Sequence, residues 1–382
     1  MNASLGSLLG LVQVLLGVRV AWRLLRSGGD SPIRAVADGT VHAGVVSVIL
    51  PVLNEAQRLS PCLEALQAQG AEVNEILVVD SGSMDGTRDL VQRYVRRDRR
   101  IRLIQAGTAP DDWNGKVWGL HHGARALASN AEWILTLDAD VVATPGLAAA
   151  LVSRARERWL RLLSVATRQH VSGVVQGVLH PSMLASLVYR FGRPNSATSS
   201  PAGVLANGQC CLIARDLMYR LGDFEAVRGS LCEDVTLARL VARAEERVGF
   251  YETDGLIEVS MFSDWRDAWR NWPRSLALRD ALFGMRGWLG LAEVLFTQAL
   301  PLPIALLRPG GTLRRINVWL LAMRLGLLCG IARAYPHRQW SFWISPLADL
   351  PVALALWRSA LAPHHTWRGR TYVRKKGSIV AA

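Results

Sequence analysis

The run LTLDADVVATPG (135–146) ends an apolar stretch with two carboxylates one residue apart, Asp138 and Asp140. Like charges this close repel, and the Thr144-Pro145-Gly146 turn that follows takes the chain away from them. A divalent cation removes the repulsion and can bridge onward to phosphate oxygens. Hard oxygen donors suit Mg²⁺ or Mn²⁺, which keep several waters and take only one or two carboxylates. If the strand runs on to its tip, side-chain alternation puts both acids on one face. The other reading is a pair of ordinary loop acids.

Further residues of this kind stand at the ends of other apolar runs. In PVLNEA (51–56) Glu55 can accept hydrogen bonds from a base or ribose, or simply be an acid near a helix N-terminus. In VVDSGSMDGT (78–87) Asp85 reads as an Asx or capping residue, which leaves Asp80, at the strand end, for ligand contact. Lys116, in WNGKVWGLHHGARAL (113–127), is the only lysine before position 375 in a chain that otherwise uses arginine. A compact ammonium there suits a pyrophosphate. The neighbouring His121 and His122 diverge on a helix and read as structural or solvent-facing. In GSLCEDVTLARLVAR (229–243) Glu233 and Asp234 open a helix. They serve either as acids at its positive end or as a source of a general base.

The elements that must position these groups alternate. VVSVILPV (45–52), EILVVD (75–80), IRLIQA (101–106) and EWILTLDAD (132–140) are short, β-rich apolar runs, with helical stretches such as AQRLSPCLEALQAQ and TRDLVQRYVRRDR between them. Strands alternating with helices predict an α/β, doubly wound, mostly parallel sheet. Ligands of such sheets bind beyond the carboxyl ends of the strands, where Glu55, Asp80, Asp138 and Asp140 all fall.

Around this region the chain is apolar. Of 382 residues 50% are hydrophobic and 20% charged, with a net charge of +13. That balance fits an anionic membrane surface or a phosphorylated ligand. No compact basic run with interleaved aromatics speaks for nucleic acid. Five scattered cysteines form no metal-ligand spacing and read as reduced thiols facing a cytosol. Residues 5–25 predict one membrane helix with its basic end, at Arg19, Arg23 and Arg26, cytoplasmic and no cleavable signal. Arg19 is expected to reach the headgroups. Three more candidate spans, 288–307, 316–332 and 340–357, are flanked by tryptophans. A cytosolic central domain followed by three spans would leave the basic tail WRGRTYVRKK outside, so one segment is expected only to enter the interface. Residues 288–307, broken by Pro301-Leu302-Pro303, are the first choice.

Taken in order, PVLNEA, VVDSGSMDGT, GKVWGLHHG, LDAD and ED across residues 45 to 275 resemble the motifs of family 2 glycosyltransferases of the GT-A fold. With the terminal apolar segments and the closing WRGRTY, the chain looks most like the bacterial hopanoid-associated and carotenoid glycosyltransferases. The resemblance implies a membrane helix over 1–27, a catalytic domain over 45–280 and membrane-associated helices with a basic tail over 285–382. It implies a multi-pass protein of the cytoplasmic membrane with its catalytic domain in the cytoplasm. The implied reaction moves a sugar, with inversion, from a UDP-sugar or other nucleotide sugar to a hydroxyl of a lipid acceptor. Glu55 and Asp80 would meet base and ribose, and Lys116 would lie near the nucleotide or its diphosphate. Asp138 and Asp140 would hold metal and diphosphate, with Asp140 the direct ligand to Mg²⁺ or Mn²⁺, and Asp234 would be the base. Two departures stand out. Ser81 follows Asp80 where many relatives have a second Asp. The Gln/Arg-x-x-Arg-Trp block of polymer-forming members is absent from WRDAWRNWPRSL (265–276), leaving Arg270 or Arg274 to steady a diphosphate. Two rivals share the features: a sugar-phosphate nucleotidyltransferase, although PVLNEAQRL lacks its Gly-rich basic loop, and a non-catalytic membrane scaffold.

Overall fold

The computed structural model describes residues 3–128, 130–230, 232–274, 284–362, 364–367, 370–375 and 378–381. The end of the expected catalytic domain and of the 265–276 block falls in 275–283, outside the described residues. The chain packs as two units. One is built from residues 30–167, 194–259 and 364–382, the other from 1–29, 168–193 and 260–363.

The strands run β1 (Val46–Val52), β2 (Val73–Asp80), β3 (Ile101–Gln105), β4 (Trp133–Leu137), β5 (Val141–Ala143), β6 (Leu162–Ala166), β7 (Arg168–Gln169), β8 (Ser196–Thr198), β9 (Cys210–Ala214), β10 (Val248–Glu252) and β11 (Ile257–Val259). The helices that matter for the site are α1 (Ala3–Arg26), α2 (Leu59–Gln67), α3 (Thr87–Val95), α4 (Gly115–Ala126), α5 (Leu147–Glu157), α6 (Gly173–Phe191), α7 (Arg215–Arg220) and α8 (Glu233–Arg243).

The first unit is a mixed α/β domain on an eight-stranded sheet of order β3-β2-β1-β4-β9-β6-β10-β8. Its strands read as nearly continuous apolar runs because both faces are covered; Val48, Ile49, Leu50, Leu77, Val79 and Leu135 are all buried. β3, β2, β1 and β4 pair in parallel, as strand–helix alternation predicts. The far half is more mixed: β9 runs antiparallel to both β4 and β6, and β8 antiparallel to β10. An apolar run such as CCLIA reads alike in either direction, so periodicity cannot reveal this. Register aligns the tips, pairing Val52 with Asp80 and Asp80 with Gln105. α4 lies against β1 and β2 through Gly123, where a Cβ would stand 2.4 Å from Ile49 Cγ2 and 3.1 Å from Val79 Cγ2. Only glycine allows so close an approach.

The second unit is helical: α1 and α6 pack with α9 (Trp265–Asn271), α10 (Gly284–Glu293), α11 (Pro301–Leu307), α12 (Thr312–Ile331) and α13 (Asp349–Leu361). Its core gathers Tyr189, Leu291, Val294, Leu328, Phe342, Val352 and Leu356. Among the described residues three helices are long and apolar enough to cross a membrane: Ser4–Arg26, Gly284–Leu307 and Thr312–Ala334. The break expected at Pro301-Leu302-Pro303 does not materialise. A π turn over Val294–Ala299 leads into α11, whose first residue is Pro301, and a proline there loses no helical hydrogen bond. The run at 340–357 instead divides into a 3₁₀ segment, Trp340–Ala348, and α13.

Polar side chains tie these helices together. Gln13 and Asn317 exchange amide hydrogen bonds of 2.8 and 2.9 Å. Arg19, expected to reach outward, pairs with Glu293, which also takes Arg23 at 2.8 Å. Arg324 Nε stands 2.9 Å from Asp349 Oδ2, both fully buried, and Ser182 and Gln298 donate to the same carboxylate at 2.6 and 2.8 Å.

Candidate functional site

The site is assembled at the carboxyl tips of the parallel strands. After β1 the chain turns through Asn54, whose backbone is left-handed (φ 55°). That turn is stitched to the loop after β2. The amides of Asn54, Glu55 and Ala56 donate to Ser83 Oγ, Thr87 Oγ1 and Asp85 Oδ2 at 2.9, 2.9 and 3.0 Å, and Asn54 Oδ1 accepts from the Met84 amide at 2.9 Å. Asp85 also accepts from the Thr87 amide at 3.1 Å, the Asx role its position suggests. The buried Glu55 carboxylate is gripped by Arg58, Nη2 donating at 3.0 Å.

Asp80, 1% exposed, uses its carboxylate on its own turn: it accepts from the amides of Gly82 (3.2 Å) and Ser83 (3.1 Å) and from Arg88 Nε (2.7 Å). Burial pushes its proton affinity up, but these donors outweigh it and hold the group below the usual carboxylate range.

Asp138 and Asp140 come together by a turn rather than by strand alternation. β4 stops at Leu137, Asp138 donates its amide to Gln209 O (3.1 Å), and Val141 N returns to Asp138 O (3.3 Å). Burial, then the neighbouring Asp138, push Asp140 up to about 7, with Arg58 opposing. Its Oδ1 is buried with no hydrogen-bond partner among the described residues. Below the turn Cys62 donates to Asp138 O across 3.8 Å, and burial followed by the two aspartates raises its thiol.

α4 begins at the side chain of Asn114, which accepts from the amides of Lys116 (2.9 Å) and Val117 (3.4 Å). This cap sets Lys116 in the first turn. Its Nζ reaches Asp138 Oδ1 at 2.7 Å, Glu233 Oε1 at 2.8 Å and Gly208 O at 3.2 Å. Burial alone would lower the ammonium's proton affinity, yet Asp138 and Glu233 together raise it well above its ordinary value. Gly208 makes the room: a Cβ there would stand 2.8 Å from Lys116 Nζ and 3.0 Å from Glu233 Oε1. The loop is held by Asn207 and Gln209, with Thr167 Oγ1 and Asn207 Nδ2 both donating to Gln209 Oε1 at 2.6 and 2.9 Å.

Beside Glu233, Asp234 lies in the first turn of α8, its Oδ1 accepting from the Val235 amide at 2.8 Å. Burial first, then Glu233, raise it to about 7 against the pull of Lys116. A carboxylate so tuned can take a proton near neutral pH. The run of interacting charges therefore leads from Glu55 and Arg58, which act on Asp140 as Asp138 does, to Lys116, Glu233 and Asp234. Asp80 stands one layer back, linked through Ser83 to the Asn54 turn. His121, buried, pairs its Nδ1 with Asp223 Oδ1 at 2.7 Å beside Trp113 and so belongs to the packing of α4.

Sequence patterns alone missed the bridging part of Glu233, the clearance at Gly208 and the grip of Arg58. The signal that could have found the first was Lys116 itself, a lone lysine needing carboxylate partners. Among the described residues no three His, Cys, Asp or Glu side chains converge as a metal cage. The unpartnered Asp140 oxygen beside Asp138 fits instead a cation of the Mg²⁺ or Mn²⁺ kind, which takes few protein ligands and shares substrate phosphates.

Known proteins extend this picture. Residues 47–221 match the family model described as glycosyl transferase family 2. The 4,4'-diaponeurosporenoate glycosyltransferase of Staphylococcus haemolyticus is 23% identical over 236 residues, 61% of this chain and 61% of that protein. The matched stretch is thus about three fifths of that relative's length. The glycosyltransferase AglE of Haloferax volcanii is 45% identical over 84 residues, 22% of this chain and 28% of AglE. Among solved structures, the mannosyltransferase PcManGT of Pyrobaculum calidifontis, in complex with GDP-Man and Mn²⁺, has a TM-score of 0.52 at 18% identity, covering 92% of this chain and 99% of that one. At that identity the likeness speaks for the fold. The family match over residues 47–221 and the shared α/β sheet agree: this region is similar to the glycosyl transferase family 2 model, on a GT-A-type fold.

Proposed function

We propose that the protein is a membrane-bound inverting glycosyltransferase that moves a sugar from a nucleotide sugar, with UDP as the nucleotide, to a hydroxyl of a lipid acceptor. The observation that carries this reading is the Lys116 ammonium, held between Asp138 at 2.7 Å and Glu233 at 2.8 Å. It links the acids suited to a diphosphate with the helix start that carries Asp234.

Asp140, with Asp138 beside it, would hold Mg²⁺ or Mn²⁺, which when bound neutralises charge gathering on the departing diphosphate. Lys116 adds a positive charge on the same side. Glu55 and Asp80 would meet base and ribose. Arg58 and Arg88, about half exposed, are the partners each can release to do so. Asp234 would take the proton of the acceptor hydroxyl as its oxygen bonds to the anomeric carbon and the bond to the diphosphate breaks. One displacement inverts that carbon. The three helices among the described residues that are long and apolar enough to span a membrane, with basic residues at the end of α1, support an acceptor delivered from the bilayer to a cytoplasmic domain. The diaponeurosporenoate glycosyltransferase among the relatives supports an acceptor of the carotenoid kind.

The test uses the full chain purified in detergent with labelled UDP-sugar and Mn²⁺. Saturable binding that disappears in Asp140→Ala is the expected result, and unchanged binding removes Asp140 as ligand. Incubating membranes with candidate UDP-sugars and analysing the lipid extract by mass spectrometry identifies sugar and acceptor. A sugar found only on soluble products would overturn the lipid reading.

A further inference from the structure

The acid expected to face the cation and diphosphate already has a positive charge against it. Lys116 Nζ lies 2.7 Å from Asp138 Oδ1, 2.8 Å from Glu233 Oε1 and 3.2 Å from Gly208 O. An ammonium has three donors, and these three acceptors account for all of them. The side chain is 18% exposed, so little of its charge is dissipated by solvent. Two carboxylates on different elements, the β4 turn and the start of α8, thus share one cation.

We infer that Lys116 is a built-in counterion that neutralises Asp138 until a divalent cation and diphosphate arrive, and that Glu233 is the positioning residue that retains the ammonium when Asp138 gives it up. The inference rests on the proposed function, because it presumes cation binding at Asp138 and Asp140. The physical need is plain. Asp138 and Glu55 both act on Asp140 as like charges, and a cluster of acids without a counterion destabilises the fold that carries it. Arg58 relieves one side and Lys116 the other. A divalent ion entering at Asp140 must then compete with Lys116 for Asp138. Glu233 decides that contest, since a second carboxylate at 2.8 Å lowers the cost of moving the ammonium away. Gly208 leaves the ammonium the room that a Cβ, 2.8 Å from Nζ, would take.

The two residues should therefore move metal affinity in opposite directions, one acting through the other. Mn²⁺ alone is titrated into the full chain in detergent micelles, with free Mn²⁺ read by electron paramagnetic resonance and the folded state followed by thermal unfolding. Lys116→Met should bind Mn²⁺ at least about tenfold tighter, as expected from removing a unit charge a few Å away. Glu233→Gln, which leaves the ammonium wholly to Asp138, should bind it about tenfold more weakly. The double variant should match Lys116→Met, because Glu233 acts only through the lysine. Lys116→Gln repeats the measurement if the methionine variant does not fold. Unchanged affinity in the lysine variants overturns the inference. So does a Glu233→Gln loss of equal size with and without Lys116, which would mark a direct field effect. If the parent chain binds Mn²⁺ neither alone nor with UDP, the metal-assisted reading fails with it; Mn²⁺ bound normally but indifferent to Lys116 sinks the counterion alone.

Discussion

Adding one methyl group at Gly208 tests whether the Lys116–Glu233 bridge is used in transfer. In Gly208→Ala the new Cβ would stand 2.8 Å from Lys116 Nζ, 3.0 Å from Glu233 Oε1 and 3.4 Å from Asp234 Cβ. The ammonium must retreat by about 0.6 Å to regain ordinary contact, and the carboxylate by somewhat less. Both atoms are the far ends of flexible side chains, so the cost to folding should sit at the low end of overpacking, about 1 kcal/mol. The loss falls on the bridge, where hydrogen bonds between charged groups are worth roughly 1.5–3 kcal/mol. If the bridge fixes the charge that faces the diphosphate, kcat/KM should fall about 10- to 100-fold. The assay is the initial rate of sugar transfer by the detergent-purified chain, alongside its thermal unfolding. A variant that folds like the parent and transfers at the parental rate would refute the role given to Lys116 and Glu233.

Other perturbations separate base, packing and helix assembly. Asp234→Asn should keep nucleotide-sugar binding and lose transfer by about 10²- to 10⁴-fold, the usual worth of a general base; robust turnover removes Asp234 from that role. Burial and Glu233 raise Asp234 to about 7, so the base is protonated below that pH. Transfer should then fall as pH drops through about 7, by tenfold per unit further down, and a rate flat from pH 5 to 8 contradicts the assignment. Gly123→Ala places a methyl 2.4 Å from Ile49 Cγ2, and about 1–3 kcal/mol of destabilisation should appear as a lower unfolding temperature. In the helical unit Arg324→Met strands the buried Asp349 and should cost about 3–5 kcal/mol, whereas Arg324→Met/Asp349→Leu should recover most of that in detergent unfolding.

Much of this molecule is written in local chemistry. Apolar β-branched runs with helices between them dictate β1 to β4 and their parallel pairing, because a strand followed by a crossover helix returns in the same direction. Acids just past such runs must lie at the sheet's carboxyl edge, so Glu55, Asp80 and Asp138 were legible from position alone. So was α1, whose leucines and valines admit no other comfortable solvent than lipid or protein core. Tertiary packing decided the rest. Whether Asp80 faces outward or spends its oxygens on Gly82, Ser83 and Arg88 depends on how the loop after β2 folds over it. The direction of β9 depends on which strands it meets, not on its residues. That α6, from the middle of the chain, packs with the terminal helices was invisible, since partners such as Asp349, which accepts from Ser182, lie more than 100 residues away. Lys116 meeting Asp138 and Glu233 is of the same kind: each partner is distant in sequence, and an ion pair leaves no periodic trace that a reading along the chain could detect.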